Sequence, residues 1–86
     1  MIFVWNPKKA ASNLKKHGVD FDEAASVFLD TLSATGADPD HSEGERRWLT
    51  FGVSGKGRFL VVSHTDEGES VRLISAREGT RKERKL

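Results

Sequence analysis

The sequence predicts a small α+β domain, and three observations carry that reading. Apolar and polar residues alternate from Arg47 to Val53, the period of a strand. Two further β-rich runs, Phe59 to Val62 and Val71 to Ala76, flank an acidic turn at Asp66-Glu67-Gly68-Glu69, as the arms of an antiparallel hairpin would. Ahead of them, residues 7–31 show helical spacing. The order strand, helix, helix, loop, three strands and charged tail implies a two-helix hairpin packed on a mainly antiparallel sheet. The 86 residues make a single domain, 1–86.

Ile2 to Trp5 is a short β-favouring run that reads as a strand. Asn6-Pro7 then opens a helix, with Asn6 as cap and Pro7 at the first helical position, where its missing N–H costs nothing. Ala10, Ala11 and Leu14 are the expected buried stripe. Gly18 ends the helix, and Lys15, Lys16 and His17 suit the negative end of its dipole. Asp20 starts a second helix, with Asp20 and Glu23 spaced as a capping box. Its expected apolar face is Phe21, Ala24, Ala25, Phe28 and Leu32. Residues 33–45 are polar and read as a loop with room for a short strand. In the next strand, Leu49, Phe51 and Val53 share one face, and Trp48 and Thr50 the other. Ser54-Gly55-Lys56-Gly57 is a turn into the hairpin, and the tail favours helix after Gly79.

Composition removes several function classes. There is no cysteine, so disulfides and thiolate metal sites are excluded. No apolar run approaches the ~20 residues of a membrane span. The opening Met1 to Trp5 is too short for a signal peptide, which makes the cytoplasm the expected location. Charge is uneven: residues 1–45 carry net −4 and residues 46–86 net +5. A polyanion-binding face and a separate acidic surface would produce that asymmetry, and so would an ordinary mixed surface.

Candidate chemistry narrows in the same way. His41 lies near Asp38, Asp40 and Glu43, but the spacing matches no metal loop, so no metal and no cofactor is expected. The stretch Asp38 to Glu45 could instead dock a basic partner. There is no nucleophile elbow, and the glycines at 52, 55 and 57 do not open a helix after a strand, which rules out a phosphate loop. Arg58, His64, Arg72 and Arg77, however, stand on the most apolar strands of the chain. Cations there are costly unless they pair or face a cleft. With Arg47 they could converge on a phosphate, since the guanidinium fork grips one bidentately. A rim salt bridge is the commoner role of any single one of them. RNA can be cleaved with such groups if the ribose 2′-hydroxyl is aligned on its own phosphate, and His17 and His64 are candidates to move the protons.

The residues also resemble a known family. Phe3-x-Trp5-Asn6-x-x-Lys9, Asn13-Leu14-x-Lys16-His17-Gly18-Val19-x-Phe21-x-Glu23-Ala24 and Val27-Phe28-x-Asp30 come first. Asp38-x-Asp40-His41-Ser42-x-Gly44-Glu45-x-Arg47, Gly52-x-Ser54, Gly57-Arg58 and Arg72-x-Ile74-Ser75-Ala76-Arg77 follow in order. Together they resemble the BrnT-type toxins of bacterial type II toxin–antitoxin systems. The resemblance implies a RelE-like ribonuclease fold and metal-independent RNA cleavage that arrests translation. It also implies neutralisation by a BrnA-type antitoxin, with operator DNA reached through that antitoxin. By position, Lys16, His17, Glu45, Arg47, Arg58, Arg72 and Arg77 match the family's motifs. On this reading Arg47, Arg72 and Arg77 hold phosphate charge, and His17, Glu45, His64 or Lys16 moves the proton. Lys16, Arg58 and Arg81 contact RNA. Asn6 replaces the usual Asp after Trp5 and still caps. His64 stands where Tyr is common, so either that group is lost or His takes its place. The tail ends at Leu86, sooner than in that family, so either the C-terminus is trimmed or the antitoxin-docking surface is smaller. The rival reading is a non-catalytic module that binds nucleic acid or protein and yields no cleavage products.

Overall fold

The computed structural model describes residues 1–40 and 46–85. Five strands form one sheet: β1 (Ile2–Val4), β2 (Ala34–Ala37), β3 (Trp48–Val53), β4 (Phe59–Glu67) and β5 (Ser70–Glu78), in the order β1-β5-β4-β3-β2. The β1–β5 pair is parallel and the other three pairs are antiparallel. Helices α1 (Pro7–His17) and α2 (Phe21–Ser26) cover one face, and a single-turn helix α3 (Arg81–Arg84) closes the chain. The α+β architecture is the expected one, with the short strand of the 33–45 loop present as β2.

Local chemistry accounts for the helix ends. The Asn6 carboxamide oxygen accepts from the Lys8 and Lys9 amides at 2.8 and 3.3 Å. Gly18 adopts φ 70°, which a side chain would resist, and its N–H closes on the Leu14 carbonyl at 2.8 Å. Asp20 caps α2 through the Glu23 amide at 2.7 Å. The expected capping box is only half formed, because the Glu23 carboxylate turns away to Arg58. At the hairpin tip Gly68 has φ 64°, the glycine-first pattern of a type II′ turn.

The core lies between helices and sheet. Val19, Phe21, Ala24 and Val27 pack on Leu60, Val62, Val71, Leu73 and Ala76. Trp5 meets Phe21 edge-on at 5.9 Å, and Phe3 meets Phe28 at 5.0 Å. Burial of this set supplies most of the driving force, at about 25 cal/mol per Å² of apolar surface removed from water.

Two expectations fail, each for a tertiary reason. In α1 the fully buried residue is Asn13, while Leu14 is 50% exposed and Ala11 is exposed. Strand β1 covers β5 only as far as Arg72, so Ala76 has a free backbone edge. The Asn13 carboxamide fills it: Nδ2 donates to the Ala76 carbonyl at 2.9 Å, and Oδ1 accepts from the Ala76 amide at 3.0 Å. Satisfying that buried edge outweighs burying a leucine. The second helix stops at Ser26 and passes into a 3₁₀ turn, Val27–Leu29. Asp30 then turns the chain by accepting from the Leu32 and Val53 amides, which leaves Leu32 88% exposed and outside the expected stripe. In β3 the side facing the helices is Thr50 and Gly52, paired with Val62 and Leu60. Leu49, Phe51 and Val53 face the other way.

Candidate functional site

The face of the sheet opposite α1 and α2 is where the strand arginines gather. Register fixes its membership: Val61 opposes Arg77, Ser63 opposes Ser75, and Thr65 opposes Arg72. Arg72 and Arg77 are five residues apart, and an unbroken strand would send them to opposite faces. A β-bulge prevents that. Pairing slips between Ser63 and His64, and Ile74 is the extra residue. Arg72, Ser75 and Arg77 therefore share one face, with Arg72 and Arg77 about 13 Å apart along the β4 register.

Arg47 joins them from the other side. It precedes β3 by one residue, and its carbonyl accepts from the Asp38 amide at 2.9 Å, which continues the β2–β3 ladder. Alternation places it on the face of Leu49, in line with Thr65 and then Arg72. Three arginines thus bracket a row of hydroxyls, Ser63, Thr65 and Ser75. The Thr65 hydroxyl is buried and has no hydrogen-bond partner among the described residues. Sequence reasoning passed over these hydroxyls; the signal was their place between the basic residues of the two apolar runs.

The two arginines of β5 are held differently. Arg72 lies 3.7 Å from the Glu67 carboxylate, with both side chains about half exposed, a weak pair. Arg77 donates from Nη1 and Nη2 to the two Glu83 oxygens at 2.8 and 2.9 Å. Glu83 also caps α3: its carboxylate accepts from the Thr80 amide, and its own amide donates to the Thr80 hydroxyl. The bond from Arg77, followed by that from the Thr80 amide, holds the Glu83 carboxyl down at about 2. Arg77 is correspondingly raised by Glu83. Beyond Val61 the same face turns apolar, with a groove of about 530 Å³ along Phe51, Val53, Phe59 and Leu32.

The remaining candidates lie elsewhere. Arg58 is committed to the helical side, where it donates to both Glu23 oxygens and to the Gly18 carbonyl. Ser54 donates to the same carboxylate at 2.7 Å, and the Arg58 bonds chiefly keep Glu23 ionised below its usual range. His64 is 3% exposed among the core residues. Its Nε2 bonds the Thr50 hydroxyl at 2.7 Å, its ring meets Phe28 edge-on at 5.0 Å, and Thr50 in turn bonds Thr35. Burial pushes the imidazole below its ordinary value, with Asp66 opposing. His64 therefore faces away from the arginine row and does not stand in for a tyrosine there.

Lys16 and His17 lie at the end of α1, in a groove between that helix and Ile74 and Ser75 of β5. Arg81 is exposed on α3. Glu45, with His41 and Glu43 of the acidic stretch, lies outside the described residues, whereas Asp38 and Asp40 of that stretch are described and the Asp40 amide donates to the Asp38 carboxylate. Among the described residues no cluster of three or more His, Asp or Glu is placed to hold a metal.

The family model described as the ribonuclease toxin BrnT of type II toxin–antitoxin systems matches residues 5–83. Among solved structures the chain is similar to the Brucella abortus ribonuclease toxin BrnT, whose crystal structure was determined at 1.1 Å resolution. The two share 23% identity and a TM-score of 0.70, over 94% of this chain and 100% of that one, a likeness of fold. No curated protein sequence matches.

Proposed function

The chain belongs to the BrnT family of ribonuclease toxins of type II toxin–antitoxin systems, and we propose that it cuts RNA on the arginine-bearing face of its sheet without a metal. The observation that carries this reading is the bulge at Ile74, which sets Arg72 and Arg77 on one face beside Arg47. Membership of the family gives the protein an RNA target and an antitoxin partner.

In the proposed reaction the ribose 2′-oxygen attacks the adjacent phosphorus, and the bond from phosphorus to the 5′-oxygen breaks. The 2′-hydroxyl proton passes to a base, and the leaving 5′-oxygen takes up a proton. The products are a 2′,3′-cyclic phosphate and a 5′-hydroxyl. Negative charge grows on the non-bridging oxygens, and fixed donors aimed there stabilise the transition state more than the ground state. Arg77 is held end-on by Glu83 through Nη1 and Nη2, which leaves its Nε–H and one Nη2 hydrogen for those oxygens. Arg47 and Arg72 bind the flanking phosphates. Proton transfer falls to Lys16, His17 or Glu45, and loss of cleavage in Lys16→Gln, His17→Gln or Glu45→Gln identifies which. His64 and Arg58 take structural roles, and Arg81 adds surface charge.

A BrnA-type antitoxin is the proposed neutralising partner, and the cytoplasm the proposed site of action. No helix among the described residues is long and apolar enough to cross a membrane. The test is cleavage of a long RNA in excess chelator, with and without ribosomes, by the wild type and by alanine variants of Arg47, Arg72 and Arg77. Cyclic-phosphate ends from the wild type are expected, reduced about 100-fold or more in Arg77→Ala and by less in Arg47→Ala and Arg72→Ala, which lose flanking-phosphate contacts. Intact RNA in both conditions, or wild-type rates from all three variants, would overturn the proposal.

A further inference from the structure

We infer that the groove between α1 and the uncovered edge of β5 is a track for the RNA backbone that feeds the arginine face. The inference rests on the reading of that face as the place where RNA is cut. Lys8, Lys9, Ser12 and Lys16 line the groove on the helix side, with Ile74 and Ser75 opposite, and its volume is about 310 Å³. No acidic residue lines it.

The lysines are arranged as a stripe. Lys8, Ser12 and Lys16 recur every four residues, and Lys9 lies beside them on the same half of the helix. Lys8 and Lys16 are about 12 Å apart along the axis, the length of three to four stacked nucleotides at about 3.4 Å each. All three lysines are exposed, and none has an ion-pair partner among the described residues. Arg72 and Arg77 on the open face are paired with glutamates, so these lysines add unneutralised positive charge beside that face. The scaffold beneath is fixed, because Asn13 locks α1 to Ala76 by two hydrogen bonds.

The groove also leads somewhere. Ser75 lines it and stands in the same row as Arg72 and Arg77 on the open face. A strand lying on the lysines would therefore pass over the β5 edge directly onto the arginines. The lining holds no Phe, Tyr or Trp on which a base could stack, and its one aromatic ring is His17 at the end of the helix. Lysines acting as mobile point charges suit a phosphate backbone without sequence readout.

The probe is a fluorescein-labelled 12-nucleotide 2′-O-methyl RNA, which binds and cannot be cut. Its Kd is measured by anisotropy from 50 to 300 mM salt for the wild type and for the triple variant Lys8→Gln, Lys9→Gln, Lys16→Gln, with circular dichroism confirming the fold of each. Loss of three phosphate contacts lowers the slope of log Kd against log salt by about 2, at about 0.7 per contact with a single strand. Affinity at 150 mM salt is expected to fall tenfold or more. An unchanged slope and Kd in a folded triple variant would overturn the inference. The readout needs no cleavage, so it stands or falls apart from the catalytic assignment of the arginines.

Discussion

Arg58, just ahead of β4, and Arg77, in β5, each grip a glutamate with two arms of the guanidinium, Glu23 in the first case and Glu83 in the second. What differs is where the partner sits. Glu23 is 5% exposed within α2 and also takes the Ser54 hydroxyl, and Arg58 adds a bond to the Gly18 carbonyl. That network ties the turn between α1 and α2 to the turn between β3 and β4. Glu83 belongs to a four-residue helix, and the Arg77 side chain is 43% exposed on the open face. The same chemical pair is a staple in one place and a presented charge in the other. Burial and the anchoring of the partner decide which, and arginine content alone does not.

The comparison can be broken most sharply at Arg77. Arg77→Ala is expected to lower RNA cleavage by about 100- to 1,000-fold, the usual cost of one transition-state donor. Its Tm should move by only a few degrees, because the lost pair is half exposed. Glu23→Ala should do the reverse. Losing charge-assisted bonds to Arg58 and Ser54 costs about 2 kcal/mol, or a Tm lower by about 8–16 °C, with cleavage per folded molecule retained. Thermal melts and initial cleavage rates on the same samples separate the two outcomes.

Acid sharpens it further. Both glutamates titrate lower in the folded chain than at their usual 4.5, Glu83 at about 2. Each contribution is therefore complete above the ordinary carboxylate value and is lost as pH falls through the folded one. The stability gap between the wild type and Glu83→Gln should be small near neutrality, below about 1 kcal/mol, and close as pH approaches 2. His64 acts in the same direction over a higher pH window: burial keeps it neutral when folded, so the unfolded chain takes up the extra proton as pH drops below about 6.5. Wild-type stability should decline from pH 7.5 to 5.5, and His64→Gln should flatten that decline in denaturant titrations.

The sequence made local features legible. Asn6, Gly18 and Asp20 mark helix ends because a cap bonds residues two to four positions away. The β3 alternation, the hairpin and the charged last helix were readable for the same reason. What it hid depends on partners distant in the chain. Asn13 is buried because Ala76, 63 residues on, presents an unpaired edge. Arg58 is a staple because Glu23 lies 35 residues before it. Arg72 and Arg77 share a face because one bulge residue breaks the period of two, and nothing local marks Ile74 as that residue. His64 had a readable warning: it follows Leu60, Val61 and Val62 in a strand that is buried for most of its length.

The most direct test is a paired assay of Arg58→Ala and Arg77→Ala, with RNA cleavage in chelator divided by the folded fraction of each sample at the assay temperature. Arg58→Ala is expected to melt earlier and to cut at close to the wild-type rate per folded molecule. Arg77→Ala is expected to stay folded and to be nearly inactive. Full activity in folded Arg77→Ala, or equal loss per folded molecule in both variants, would contradict the division of labour between the two faces of the sheet.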